Sequence, residues 1–438
     1  MASARKTLAK SLFIMLLENY RNPVSPTVFF RQAEKINIPM SNPLIGVFYH
    51  WLGGLASASF YIPYRGVQKW SWETYWLVGG FFSWIIAPLT LASLLVPELW
   101  KSIGATPGTT LFWAYFFGAM WGIGGLTFGL TMRYLGIALG MAVALGFCAA
   151  FGTLVPPIFA GQFGKILTTG SGQMILLGVL ACLAGIGVSG MAGMSKEQEL
   201  SPEQKAATVK EFNFKKGMLV ATFSGVMSSC FAYGLAAGKP LADLSKAALL
   251  REGGSDLWQN LPVLVIVLWG GFTTNFIWCV ILNIRNRSSH EYLNLRSSAV
   301  AEISAAEGVM LSAAAEETVV QDNSSASHGG LVGRSQQIGP APLFRNYLFS
   351  ALAGVTWYLQ FFFYSMGQTK MGTYEFSSWT LHMASIIIFS TLWGIVLHEW
   401  KGTSKRTHVL IAIGLAVLIG STVIVGYGNY LGISPTAH

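Results

Sequence analysis

Ten stretches of about twenty mostly apolar residues recur along this chain, near 44–64, 75–96, 111–132, 134–159, 172–194, 217–238, 260–284, 347–368, 376–397 and 408–430. Inside a bilayer no water satisfies an unpaired backbone group, so an apolar run long enough to cross must fold as a helix. The pattern predicts an all-α integral membrane protein of about ten transmembrane helices joined mostly by short connections. Composition agrees: 53% of the 438 residues are hydrophobic and only 11% charged, where a soluble domain carries roughly 25% charged residues. The net charge of +9 does not call for nucleic acid, because the basic residues sit in the connections beside the apolar stretches, as topology signals do. Cys148, Cys182, Cys230 and Cys279 all fall inside the stretches, without the spacing of a zinc site or an exported disulfide framework, and read as packing residues.

The stretches repeat. Gly54, Ser57 and Phe60 in the first read against Gly225, Ser228 and Phe231 in the sixth, an offset of 171. Gly118, Trp121 and Gly136 read against Gly354, Trp357 and Gly372, and Gly178 against Gly414, at a second offset of 236. An odd number of crossings reverses the entry side of the second half, so the pattern predicts two inverted five-helix repeats, 40–215 and 216–438. That is the plan of many secondary transporters, with the substrate site near the midplane between the halves.

Two segments fall outside this plan. Residues 1–39 form a basic N-terminal extension with one short apolar run, Leu12 to Leu17; it is either an interfacial segment or a start called too early, ahead of Met40. The polar loop 285–345 reads as a linker, with a surface helix over Ala299 to Val319. Connections after odd-numbered stretches hold sixteen Lys and Arg residues and those after even-numbered ones six, while the extension adds six on the opposing side of that count.

Within the apolar stretches two ionisable groups stand out, His50 and His382, and an ionisable group at membrane depth is costly enough to suggest function. His50 shares a helical stripe with Ser57, Tyr61 and Tyr64, while Glu375 and Trp379 precede His382 by seven and three residues, on one face of the ninth stretch. An imidazole titrates near neutrality, so each histidine reads as a coupling-proton site, with Glu375 as a neighbouring carboxylate, or as a neutral histidine bonded to an adjacent helix. Glu375 also reads as an interfacial charge at a helix end. The eighth stretch aligns Trp357, Gln360, Tyr364 and Gln368 on one face. Aromatic rings meet the C–H face of a sugar and amides bond its hydroxyls, so this face suits a carbohydrate; the alternative is ordinary aromatic packing. Tyr61 and Asn275, the latter after Thr273 and Thr274, are further polar candidates.

Enzyme motifs are missing or out of context. Gly185-Ile-Gly187-Val-Ser-Gly190 lies inside an apolar stretch with no strand before it, and the chain contains no G-x-x-x-x-G-K-[ST], H-E-x-x-H or G-x-S-x-G.

The runs His50-Trp-Leu-Gly-Gly-Leu-Ala-Ser-Ala-Ser-Phe-Tyr61, Lys69-Trp-Ser-Trp-Glu-Thr74, Gly118-Ala-Met-Trp-Gly-Ile-Gly124, Gly129-Leu-Thr-Met-Arg-Tyr-Leu-Gly136, Trp357-Tyr-Leu-Gln-Phe-Phe-Phe-Tyr364 and Leu381-His-Met383 closely resemble the bacterial L-rhamnose/proton symporter family, within the drug/metabolite transporter superfamily. The resemblance covers Met40 to about Leu431. It implies ten helices, a multi-pass protein of the bacterial inner membrane, no enzymatic activity, and sugar uptake with H+ as the coupling ion and no cofactor or metal. Where members of that family carry Gly-Asn-Ile-Asn-Tyr-Gly, this chain has Gly124-Gly-Leu-Thr-Phe-Gly129, a loss of two amides and a phenol. A sugar site that loses hydrogen-bonding groups can change preference, so a sugar is the broader expectation and L-rhamnose the particular one. An exporter or exchanger of another small metabolite, and a membrane sensor that binds sugar without moving it, are the rival readings.

Overall fold

The computed structural model describes residues 42–199, 213–294 and 341–433. The N-terminal extension and the surface helix expected over Ala299 to Val319 lie outside the described residues. Among the described residues every regular element is helical. The long helices are α1 (Pro43–Ser59), α2 (Trp72–Leu95), α3 (Gly108–Leu135), α4 (Ile137–Phe159), α5 (Gly170–Gln198), α6 (Phe214–Ala237), α7 (Leu261–Arg285), α8 (Leu343–Lys370), α9 (Ser378–Val396) and α10 (Lys405–Ile433). Eight of them, α2 to α7, α9 and α10, are long and apolar enough to cross a membrane. α1 and α8 occupy the stretches 44–64 and 347–368 but fall short of that measure. α1 has 17 residues before the chain turns at Phe60 into the short helix Tyr61–Tyr64, and α8 carries Arg345, Asn346, Gln360, Gln368 and Lys370.

Local chemistry sets the ends. Asn42 accepts hydrogen bonds from the Leu44 and Ile45 amides, with Pro43 at the first helical position. Asn213 and Thr169 cap α6 and α5 in the same way. The sharp turns from α3 to α4 and from α8 to α9 pass through Gly136 (φ +83°) and Gly372 (φ +66°), a backbone region that penalises any Cβ. These two glycines are repeat mates in the sequence.

Packing follows the same exchange. α1 packs on α8 and α9, and α6 on α3 and α4; α2 packs on α8, and α7 on α3; α4 packs on α5, and α9 on α10; α5 and α10 pack on each other. Relabelling each helix of one half by its counterpart in the other maps these pairs onto themselves. The matched glycines sit at matched crossings: a Cβ at Gly118 would collide with the Val267 carbonyl of α7, and one at Gly354 with the Gly79 carbonyl of α2. Gly54 faces Ser385 of α9 while Gly225 faces α4, and Gly178 and Gly414 both lie in the α5–α10 contact.

Polar ties between connections sort by parity. Arg65 pairs with Glu399, Gln68 with Asn346, the Asn213 amide with the Tyr134 carbonyl, and Ser404 with Glu199. At the other end Glu98 pairs with Arg251, Lys239 with Glu375, and Tyr374 with Thr169. Connections after odd-numbered helices therefore gather at one end, here the odd end, and the rest at the even end. Leu219, Leu180, Phe276 and Val423 are exposed on helix flanks, while His50, Glu73, Asn346, Ser350, Gln360 and His382 are buried between helices. This inside-out distribution is what a lipid solvent selects.

The loop 285–345 differs from a plain linker at its described ends. A 3-10 turn over Ser288–Tyr292 folds back under α7, and residues 341 to 345 lead directly into α8. Asn294 is bonded to the backbone of Ala341, which ties the two ends together.

Candidate substrate and proton site

α8 supplies one continuous side of the interior, because Trp357, Phe361 and Tyr364 follow each other at helical spacing. Trp357 stacks on its repeat mate Trp121, ring centres 5.6 Å apart and planes 26° from parallel, so the two halves meet at this pair. Trp84 stands edge-on to Trp357 at 5.2 Å. A cavity of about 10 Å³ opens beside them, lined by Phe60, Tyr64, Trp76, Ser83, Trp84 and Trp357. That volume admits roughly one water, so a sugar needs the helices to part before it enters. The π-helical turn Phe82–Ile86 within α2 turns Ser83 and Trp84 toward this space.

The aromatic column continues toward the even end. Phe361 meets Trp357 edge-on at 4.9 Å and stacks on Phe231 at 4.3 Å, and Phe231 stacks on Trp379. Tyr364 follows, with the ring centres of His50 and His382 each 5.2 Å from its own. Both imidazoles are fully buried. Gly54 leaves room for the Ser385 hydroxyl to donate to the His50 carbonyl at 2.9 Å, which clasps α1 to α9 and fixes the two histidines side by side. Gly367 and Gly53 make space for the rings of His50 and His382 respectively.

None of the ring nitrogens of His50 and His382 has a hydrogen-bond partner among the described residues. The Gln360 amide nitrogen, one turn from Tyr364, is buried and unpartnered as well. Each unpaired buried polar group costs about 1–3 kcal/mol, so a ligand hydroxyl or a water that bonds them is favoured in this packing.

The other sequence candidates separate. Asn275 donates to the Gly271 carbonyl and accepts from the Trp76 indole at 3.3 Å, so it positions a cavity wall. Gln368 accepts from Asn260 at the even end of α8, outside the column. Tyr61 is 56% exposed and lies outside the cavity lining, whereas Tyr64 of the same stripe lines it. Glu375 precedes α9 rather than belonging to it. It lies in the 3-10 segment Gly372–Ser377, where Tyr374 breaks the helical geometry, and pairs with Lys239 at 3.5 Å near the surface. Trp379 does sit beside His382, centres 6.1 Å apart.

The sequence reading passed over two buried groups, Glu73 and Asn346. One Glu73 oxygen accepts from Asn286 at 2.9 Å and from Ser288 at 2.7 Å. Asn346 exchanges two hydrogen bonds with the backbone of Gln68. Of the departures from the family pattern, Gly125, Leu126, Thr127 and Phe128 lie outside the cavity lining, and Thr127 bonds to its own helix. The four cysteines are buried and unbridged. Among the described residues no group of three His, Cys, Asp or Glu side chains is placed to hold a metal ion.

A helical bundle that turns apolar side chains outward and buries two histidines and an amide without partners beside an interhelical aromatic column defines a multi-pass membrane protein. The chain belongs to the L-rhamnose-proton symport protein family, whose model matches residues 40–315 and 336–430. It is similar to the L-rhamnose-proton symporter of Yersinia pestis (strain Pestoides F), 36% identical over 392 residues that cover 89% of this chain and 99% of the relative. The symporter of the same name from Shigella sonnei (strain Ss046) is 35% identical over 391 residues, with the same coverage of each chain. Membership makes the chain a transport protein and not an enzyme.

Proposed function

We propose that this protein takes up L-rhamnose, or a closely related sugar, together with a proton across the bacterial inner membrane by alternating access. The observation that carries the reading is the fully buried pair His50 and His382, unpartnered at every ring nitrogen and held against an aromatic and amide face of α8. The sugar sits against Trp357, whose ring takes its C–H face, with Gln360 bonding a hydroxyl. The histidines carry the proton one or two turns along α8, about 10 Å from Trp357 at 1.5 Å per residue. H+ is the coupling ion and no other cofactor takes part.

The transport cycle uses ten spans arranged as two inverted five-helix repeats, 40–215 and 216–438. The exchange-symmetric packing, the Trp121–Trp357 stack and the parity of the connections support this reading. Rocking one half against the other about that stack exposes the cavity at the odd or the even end in turn. Energy suffices: one charge crossing 100 mV releases about 2.3 kcal/mol, which at about 1.4 kcal/mol per factor of ten sustains roughly forty-fold accumulation.

Uptake of labelled L-rhamnose into proteoliposomes, with and without an imposed inward proton gradient, tests the proposal. Gradient-dependent accumulation is expected. Binding without flux would make the protein a sensor, and flux that ignores the gradient or the sugar would make it an exchanger of another metabolite.

A further inference from the structure

Between α1 and α2 the chain runs over the odd end of the cavity, and its flanks form part of the cavity wall: Phe60 and Tyr64 before it, Trp76 after it. The second half grips this strap, residues 65–73, from end to end. Arg345 donates to the Gly66 carbonyl at 2.9 Å, and Asn346 both accepts from the Gln68 amide at 3.0 Å and donates to its carbonyl at 2.7 Å. Glu291 accepts from the amide and hydroxyl of Ser71, and Glu73 accepts from Asn286 and Ser288. Asn346 is fully buried and Glu73 nearly so, which shields their bonds from competing water. At the even end the Glu98–Arg251 tie between halves is a solvent-exposed ion pair, a kind of contact worth little.

We propose that the strap 65–73 is the gate of the odd end, latched shut by Asn346 and Glu73, and that releasing it from α7 and α8 opens the sugar path on that side. The inference rests on the alternating-access reading above. Asn346 and Glu73 are positioning residues: neither lines the cavity, and both act by holding Phe60, Tyr64 and Trp76 over it.

Locking the gate gives the decisive test. A Ser71→Cys/Glu291→Cys pair, whose parent side chains touch across the strap, bridged by a short reducible thiol cross-linker in proteoliposomes, should bind L-rhamnose yet lose gradient-driven uptake, and reductant should restore it. Uptake by the bridged protein at the reduced rate would overturn the proposal. If the reduced pair and the parent protein both fail to accumulate sugar, the transport reading fails instead, and a second measurement then decides the gate. For that measurement a reporter Ser83→Cys is placed in the cavity wall of the parent and of the Asn346→Ala and Glu73→Gln variants. The reporter should react with a polar maleimide about tenfold faster in either variant, equivalent to about 1.4 kcal/mol in the closed-to-open balance. Equal rates in variants that remain monodisperse and melt as the parent does would place the gate elsewhere.

Discussion

Tyr364 packs against two imidazoles at equal distance, and the division of labour we propose for the site turns on those three rings. Replacing His50 or His382 by Ala should abolish gradient-driven accumulation while leaving sugar exchange down its own gradient measurable, since Trp357 and Gln360 stay in place. Trp357→Ala should act on affinity, raising the KM for L-rhamnose roughly tenfold, with Trp357→Phe in between, as expected for losing about 1.4 kcal/mol of ring contact. The histidines were legible because an ionisable group in an apolar run is conspicuous whatever the fold. Of the two readings of Glu375 the interfacial charge fits its pairing with Lys239, because the residue lies in the 3-10 segment ahead of α9. Glu73 was passed over because an acid just after Ser71 resembles any first-turn carboxylate, and the groups that bury it, Asn286 and Ser288, lie more than two hundred residues away.

Helix crossings carry the next set of expectations. Gly118→Ala and Gly354→Ala each drive a methyl group into a carbonyl of the partner helix, and overpacking of this kind costs about 1–3 kcal/mol. Both should lower the melting temperature of the detergent-solubilised protein, whereas Gly125→Ala, with open space around its Cβ, should not. At the odd end Glu199 joins α5 to α10 through the amide and hydroxyl of Ser404 and the hydroxyl of Thr407. Hydrogen bonds from Ser404, and then from Thr407, hold its carboxyl below the ordinary carboxylate range. A depressed value means the bound carboxylate stabilises the fold above the ordinary range and loses that contribution as pH falls through the lowered one. Glu199→Gln should therefore melt earlier than the parent at neutral pH, and the gap should close in acid. The glycines at the close crossings were legible from their spacing, since such crossings and left-handed turns restrict the residue types they accept. The break of α1 at Phe60 was not, because Tyr61 and Ile62 continue the apolar pattern without interruption.

At the scale of the whole molecule, the helices alternate so that odd and even connections collect at opposite ends. Basic residues favour the odd connections sixteen to six, with the six of the N-terminal extension opposed, and on that count we propose that the odd end faces the cytoplasm. A cysteine at Lys69 and another at Lys165 should label from opposite sides of right-side-out vesicles, Lys165→Cys from outside and Lys69→Cys only after permeabilisation. The number of apolar stretches and the family resemblance were both readable from the chain. The closed cavity was not, because its walls come from α1, α2 and α8 and depend on how the halves meet. In the cycle we propose, sugar and proton move together through the column between those halves. Adding L-rhamnose to unenergised proteoliposomes in weakly buffered medium should raise the external pH as protons enter with the sugar, and His382→Ala should abolish the rise. Sugar entry in the parent protein with no accompanying pH change would contradict the account.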